Sequence, residues 1–132
     1  MTKRKKIMVI DDDAMLLQVT QGLLEHEGYD VLTLQNAFGA TSAIRASTPD
    51  LVLLDINMPA LSGEHLAPLL QTNQHTRRVP IVFYSSNDED TLSASVRKHG
   101  VRGYICKGDP AMLRRKVREY CEASPAEAGV AR

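Results

Sequence analysis

Four short stretches of this chain are unbroken apolar runs: Ile7-Met8-Val9-Ile10, Leu51-Val52-Leu53-Leu54, Ile81-Val82-Phe83-Tyr84 and Tyr104-Ile105-Cys106. A fifth, Val31-Leu32-Thr33-Leu34, is interrupted by one threonine. Runs without alternation suit strands that are covered on both faces of a sheet. Strands are therefore predicted over 6–10, 30–34, 51–54, from Pro80 to Tyr84, and over 102–106. Pro80 suits the first position of a strand, where no ladder donor is needed.

Between the runs, apolar residues recur at helical spacing. Residues 14–27 place Leu16, Val19 and Leu23 on one face, with Asp13 as N-cap and Gly28 as terminator. Residues 37–46 carry Ala40, Ala43 and Ile44. A loop with Pro59 and Gly63 leads into a helix presenting Leu66, Leu69 and Leu70. Residues 88–98 offer Leu92 and Val96, and Gly100 closes that helix. Asp109-Pro110 opens a last helix, running to about residue 122 with Leu113, Val117 and Cys121 inward.

Five strand–helix units in succession predict an α/β fold: a doubly wound, five-stranded parallel sheet with helices on both faces and right-handed crossovers. A length of 132 residues fits one domain, here 5–123, with 124–132 as a flexible tail. Sixteen lysines and arginines balance sixteen aspartates and glutamates, so overall charge does not argue for a nucleic-acid partner. The run Lys3-Arg4-Lys5-Lys6 reads as a solvated lead-in to the first strand. Cys106 and Cys121 form neither a disulfide framework nor a zinc-binding spacing and read as reduced thiols. No secretory signal and no membrane-length apolar stretch is present, which predicts a cytoplasmic protein without membrane insertion.

Chemistry gathers where the runs end. Asp11 and Asp12 follow the first, Asp55 the third, Ser85 the fourth and Lys107 the fifth. In an open parallel sheet, ligands bind outside the carboxyl ends of the strands. Three acids, a hydroxyl and an amine at one such edge suit a divalent cation beside a phosphoryl group.

These residues, with Val9-Ile10-Asp11-Asp12-Asp13, Asp55-Ile56-Asn57-Met58-Pro59, Gly63 and Gly103-Tyr104-Ile105-Cys106-Lys107, resemble the receiver domain of bacterial two-component response regulators. The resemblance runs from about Lys6 to about Cys121. It implies a flavodoxin-like fold with strand order 2-1-3-4-5. It also implies phosphotransfer to Asp55 from a sensor histidine kinase or a histidine phosphotransfer protein, without turnover of an external substrate. Asp11, Asp12, Asp55 and the backbone carbonyl of Asn57 would hold Mg²⁺, or Mn²⁺ in its place. Ser85 and Lys107 would steady the phosphoryl group. Ser85 and Tyr104 would then switch a surface of the fourth helix, fifth strand and fifth helix toward an unidentified downstream protein. Tyr104 has a second reading as plain core, and Tyr84 reads as another aromatic beside the same path. Asn57 and Asn87 match the variable positions flanking the phosphoryl group. Gly108 departs from the family, which usually has a cis-linked proline after the lysine, so the Lys107–Gly108 bond should be trans.

Three other functions share parts of this pattern. A receiver-like binding module independent of phosphorylation would usually lack an acid or the lysine, and none is missing. An aspartyl-phosphate hydrolase needs a second acid two residues after the nucleophile, where Asn57 stands. A flavodoxin needs a phosphate loop after the first strand, where aspartates would repel the phosphate.

Overall fold

The structure, a computed structural model, describes residues 4–122. The tail predicted over 124–132 lies outside them, as does Lys3. Among the described residues ten elements alternate: β1 (Lys6–Ile10), α1 (Ala14–His26), β2 (Asp30–Leu34), α2 (Ala40–Ser47), β3 (Leu51–Leu54), α3 (Gly63–Thr72), β4 (Ile81–Ser85), α4 (Glu89–His99), β5 (Gly103–Cys106) and α5 (Pro110–Glu122). The strands form one sheet in the order β2-β1-β3-β4-β5. Every pairing is parallel.

Alternation along each strand divides the apolar side chains between two cores. Met8, Ile10, Val52, Leu54, Ile81 and Phe83 meet Ile44 of α2, Leu66 and Leu70 of α3, and Leu92 of α4. Ile7, Val9, Leu51, Leu53, Val82 and Ile105 meet Leu17 and Leu24 of α1 and Leu113 and Val117 of α5. Each fully buried aliphatic or phenyl side chain contributes about 1.5–3 kcal/mol. The register sets Ile10 opposite both Leu34 and Leu54, and Leu54 opposite Phe83, so the carboxyl ends of the inner strands finish nearly level.

Two helix faces differ from the sequence reading. In α1 the buried residues are Leu17, Thr20 and Leu24; Leu16 and Leu23 sit at the margin and Val19 is 54% exposed. Two apolar stripes overlap here, one residue apart, and the polar Thr20 hid the inner one. In α3, Ala67 goes inward with Leu66 and Leu70, while Leu69 is 53% exposed. Ala67 and Leu70, three apart, together with Leu66 set the inward stripe, and Leu69, which shares a face with Leu66 but not with Ala67, falls on its outer flank. The start of α2 also falls later than expected, because Ala37 lies in a turn whose carbonyl accepts from the Ala40 amide at 3.2 Å. Gly28 (φ 98°) and Gly100 (φ 67°) take the left-handed values that stop α1 and α4.

Both cysteines are free and half-buried. Burial pushes both thiols up, Cys121 to about 11. Among the described residues, no helix is long and apolar enough to cross a membrane.

Candidate functional site

The ladder continues one step beyond the strands. The Asp11 amide donates to the Leu34 carbonyl at 3.1 Å, and the Asp55 amide to the Ile10 carbonyl at 2.9 Å. These bonds set Asp11 and Asp55 side by side at the rim of the sheet. The chain then turns sharply: Asp11 Oδ1 accepts from the Asp13 amide at 2.9 Å. Asp13 caps α1 as expected, accepting from the Leu16 amide at 3.1 Å. Asp55 Oδ1 accepts from the Asn57 amide at 3.3 Å. Behind this turn α3 presses so closely that a Cβ on Gly63 would stand 2.2 Å from the Asp55 carbonyl oxygen.

Carboxylate oxygens of Asp11, Asp12 and Asp55 lie within 4.8 Å of one another. Asp11 and Asp55 are buried, at 1% and 3% exposure, while Asp12 faces solvent. Burial holds the Asp55 carboxyl above the usual carboxylate range; Lys107 opposes that shift and the charge of Asp11 adds to it. Lys107 Nζ stands 2.6 Å from Asp11 Oδ2 and 3.5 Å from Asp55 Oδ1. The ammonium is thus closer to Asp11 than to Asp55, its expected partner. Burial alone would lower the Lys107 pKa, but contact with Asp11 and the charge of Asp55 leave it raised. Asp11 Oδ2 is buried and accepts no well-directed hydrogen bond; the ammonium faces it as an ion pair. Three carboxylates that converge within reach of one ion, all offering oxygen, fit a hard divalent cation such as Mg²⁺ or Mn²⁺ better than a soft one.

Ser85 closes β4 with no exposed surface. Its Oγ accepts from Asn57 Nδ2 at 3.2 Å and from the Asn87 amide at 3.3 Å, and Asn57 Nδ2 also donates to Asn87 Oδ1 at 2.9 Å. The two flanking amides named from the sequence therefore bridge the loop after Asp55 to the turn after β4. The Lys107 amide donates to the Ser85 carbonyl at 2.9 Å, which ties the ends of β4 and β5 together. Gly108 follows with φ 108°, and no cis peptide occurs among the described residues.

Tyr104 is half-buried and packs against the core beneath α2, α3 and α4. It lines a cleft of about 290 Å³ with Glu89, Cys106, Met112, Lys116 and Tyr120. The Tyr120 hydroxyl donates to the Tyr104 carbonyl at 3.4 Å, across the space a side chain at Gly103 would fill. Tyr84 does not stand beside Tyr104. It belongs to the opposite core, because Tyr84 pairs with Ile105, one residue along from Tyr104. Its ring instead lies 5.7 Å beneath Lys107 Nζ, a cation–π contact that the run of apolar letters did not signal. At the other edge of the sheet Arg77, Arg78 and Arg102 line a cleft of about 130 Å³.

Comparison with known proteins agrees with this architecture. The family model of the response regulator receiver domain matches residues 7–118. Protein RcaC of Microchaete diplosiphon is 34% identical over 102 residues, which are 77% of this chain but 16% of RcaC. Protein PilH of Pseudomonas aeruginosa is 28% identical over 102 residues, covering 77% of this chain and 84% of PilH. Among solved structures, the receiver domain of sensor histidine kinase PA1611 from Pseudomonas aeruginosa has a magnesium ion coordinated in its active site cleft. It superposes with a TM-score of 0.80 at 21% identity, over 92% of this chain and all of that one. At that identity the superposition speaks to the fold, while the family match spans most of the sequence. The chain belongs to the response regulator receiver domain family of two-component signalling.

Proposed function

We propose that Asp55 is the phosphoryl acceptor of this receiver, and that the donor is a sensor histidine kinase or a histidine phosphotransfer protein. The observation that carries this reading is the buried Asp55 carboxylate flanked by Asp11, Asp12 and Lys107 at one strand edge. An Asp55 oxygen attacks phosphorus in line. The acyl–phosphate P–O bond forms as the donor's P–N bond breaks, and the histidine nitrogen leaves with the electron pair and takes up a proton. Charge crowding on phosphorus dominates such a barrier.

Asp11, Asp12, Asp55 and the backbone carbonyl of Asn57 would hold Mg²⁺ or Mn²⁺. When bound, the cation neutralises phosphoryl oxygens. Lys107 supplies a mobile positive charge, already between two of the acids, that follows the phosphoryl oxygens as a point charge. Ser85 donates its hydroxyl proton to one of them, giving up its present place beside Asn57. That movement frees room for Tyr104 and alters the face made by α4, β5 and α5 toward a downstream protein. The functional unit is residues 5–123, a cytoplasmic phosphoacceptor and not a turnover enzyme.

Intact-protein mass after incubation with acetyl phosphate and Mg²⁺ tests this. One added phosphoryl group is expected, absent in Asp55→Asn and in EDTA. If a folded protein gains none and also forms no beryllofluoride complex, a binding module independent of phosphorylation is the better reading.

A further inference from the structure

Outside the acceptor site, one carboxylate oxygen joins two helices. Glu64 Oε2 on α3 accepts from Ser95 Oγ at 2.8 Å and contacts His99 Nε2 at 3.1 Å, both on α4. Ser95 and His99 are one helical turn apart and so share a face. The α4 side of the cluster is shielded: Ser95 is buried, the His99 side chain is 13% exposed, and its ring meets Phe83 of β4 edge-on at 6.1 Å, while the Glu64 side chain stays 36% exposed. The Ser95 hydrogen bond, with help from His99 and against a smaller burial effect, holds the Glu64 carboxyl below its usual range.

The position of Glu64 gives the contact its meaning. It directly follows Gly63, whose Cα is packed on the Asp55 backbone carbonyl, so the first turn of α3 moves with the acceptor loop. The other end of α4 is tied to the same site. Its cap, Asp88, comes three residues after Ser85, whose Oγ is held by Asn57 and the Asn87 amide. Any shift of Ser85 that pulls on α4 must therefore work against a helix pinned near its far end.

We propose that Glu64 is a positioning residue. Its clasp on Ser95 and His99 holds α4 in the resting place and opposes the rearrangement that a phosphoryl group at Asp55 drives. The proposal rests on the acceptor reading above. A contact present only in the resting state shifts the equilibrium by its differential strength. Removing it should therefore favour the modified form by roughly three- to tenfold, the net scale of one ordinary hydrogen bond, because exposure screens the charge of Glu64.

The test is beryllofluoride affinity in the presence of Mg²⁺, read by NMR shifts of α4 and β5 amides. It uses the full chain, Glu64→Ala, Glu64→Gln and Ser95→Ala, with urea stability measured in parallel. Glu64→Ala and Ser95→Ala should bind beryllofluoride more tightly, and Glu64→Gln, which keeps an acceptor for Ser95, should fall between Glu64→Ala and wild type. Unchanged affinity with lowered stability would assign the clasp a purely structural role and overturn the proposal, as would weaker binding. Failure of wild type itself to bind would remove the acceptor reading instead, and the proposal with it. Ser95→Ala, which deletes one hydroxyl, decides the matter if Glu64→Ala does not fold.

Discussion

Gly63→Ala is the sharpest single probe of how α3 supports the acceptor. The new Cβ would stand 2.2 Å from the Asp55 carbonyl oxygen, 2.9 Å from its carbon and 3.0 Å from Ile56 Cα, where ordinary contact begins near 3.4 Å. All three neighbours are backbone, so no rotamer change relieves the clash, and α3 and the acceptor loop must part by about 1 Å. Overpacking of this kind costs about 1–3 kcal/mol. The better helix propensity of alanine offsets at most about 1 kcal/mol of that. A displacement of about 1 Å at a reacting group can lower a rate by about a hundredfold. Urea unfolding should show a lower midpoint with an unchanged slope, and phosphorylation by acetyl phosphate should slow by one to two orders of magnitude. If the midpoint falls and the rate holds, α3 has yielded and Asp55 has not moved. If neither changes, the close approach of α3 to the acceptor is wrong.

Other perturbations test the remaining parts of the site. Lys107→Ala leaves Asp11 and Asp55 buried without their cation, and breaking such a pair costs about 3–5 kcal/mol; urea melts without divalent cation should show the loss, and Mg²⁺ should recover part of it. Because burial raises the Asp55 pKa, the folded state holds this proton more tightly than the unfolded chain, so ionising Asp55 destabilises the fold as pH rises. Asp55→Asn should then be more stable than wild type at pH 7, the gap closing as pH falls through the raised value toward 3.8; a gap independent of pH would count against it. Mg²⁺ at a hundredfold its dissociation constant should add about 2.7 kcal/mol in calorimetry, an increment that Asp12→Ala should abolish. Gly103→Ala meets the hydroxyl oxygen of Tyr120 at 2.0 Å and two of its ring carbons at 2.7 and 2.9 Å; these belong to one side chain and not to backbone, so its thermal melt should shift less than that of Gly63→Ala.

The fold was legible because burial on both faces makes these strands continuous apolar words, and each word ends on a chemical residue. Asp11, Asp55, Ser85 and Lys107 could be placed at one edge from strand ends alone. What the letters withheld depends on angle and distance. A helical stripe one residue over, Leu17-Thr20-Leu24 in place of Leu16-Val19-Leu23, is nearly degenerate when a threonine sits among the leucines. The preference of Lys107 for Asp11 over Asp55 is a matter of about 1 Å at the end of a flexible side chain. The contacts of Glu64 span 31 and 35 residues, beyond any local periodicity. Tyr84 and Tyr104 look alike as aromatic letters, yet the pleat sends them to opposite cores.

The zero net charge of the chain conceals a separation of charge. Asp11, Asp12, Asp13, Asp55, Asp88, Glu89, Asp90 and Asp109 cluster around the carboxyl ends of the strands. At the opposite edge Asp30 and Asp50 engage Arg4 and the Lys6 amide, while Arg77, Arg78 and Arg102 line their cleft with no acid among the lining residues. A neutral body whose charges separate in this way turns in the field of an approaching macromolecule. Its encounter rate should therefore fall as salt is added, although its total charge is zero. A basic partner is drawn to the acceptor edge before any contact forms, and an acidic one is turned toward the arginines.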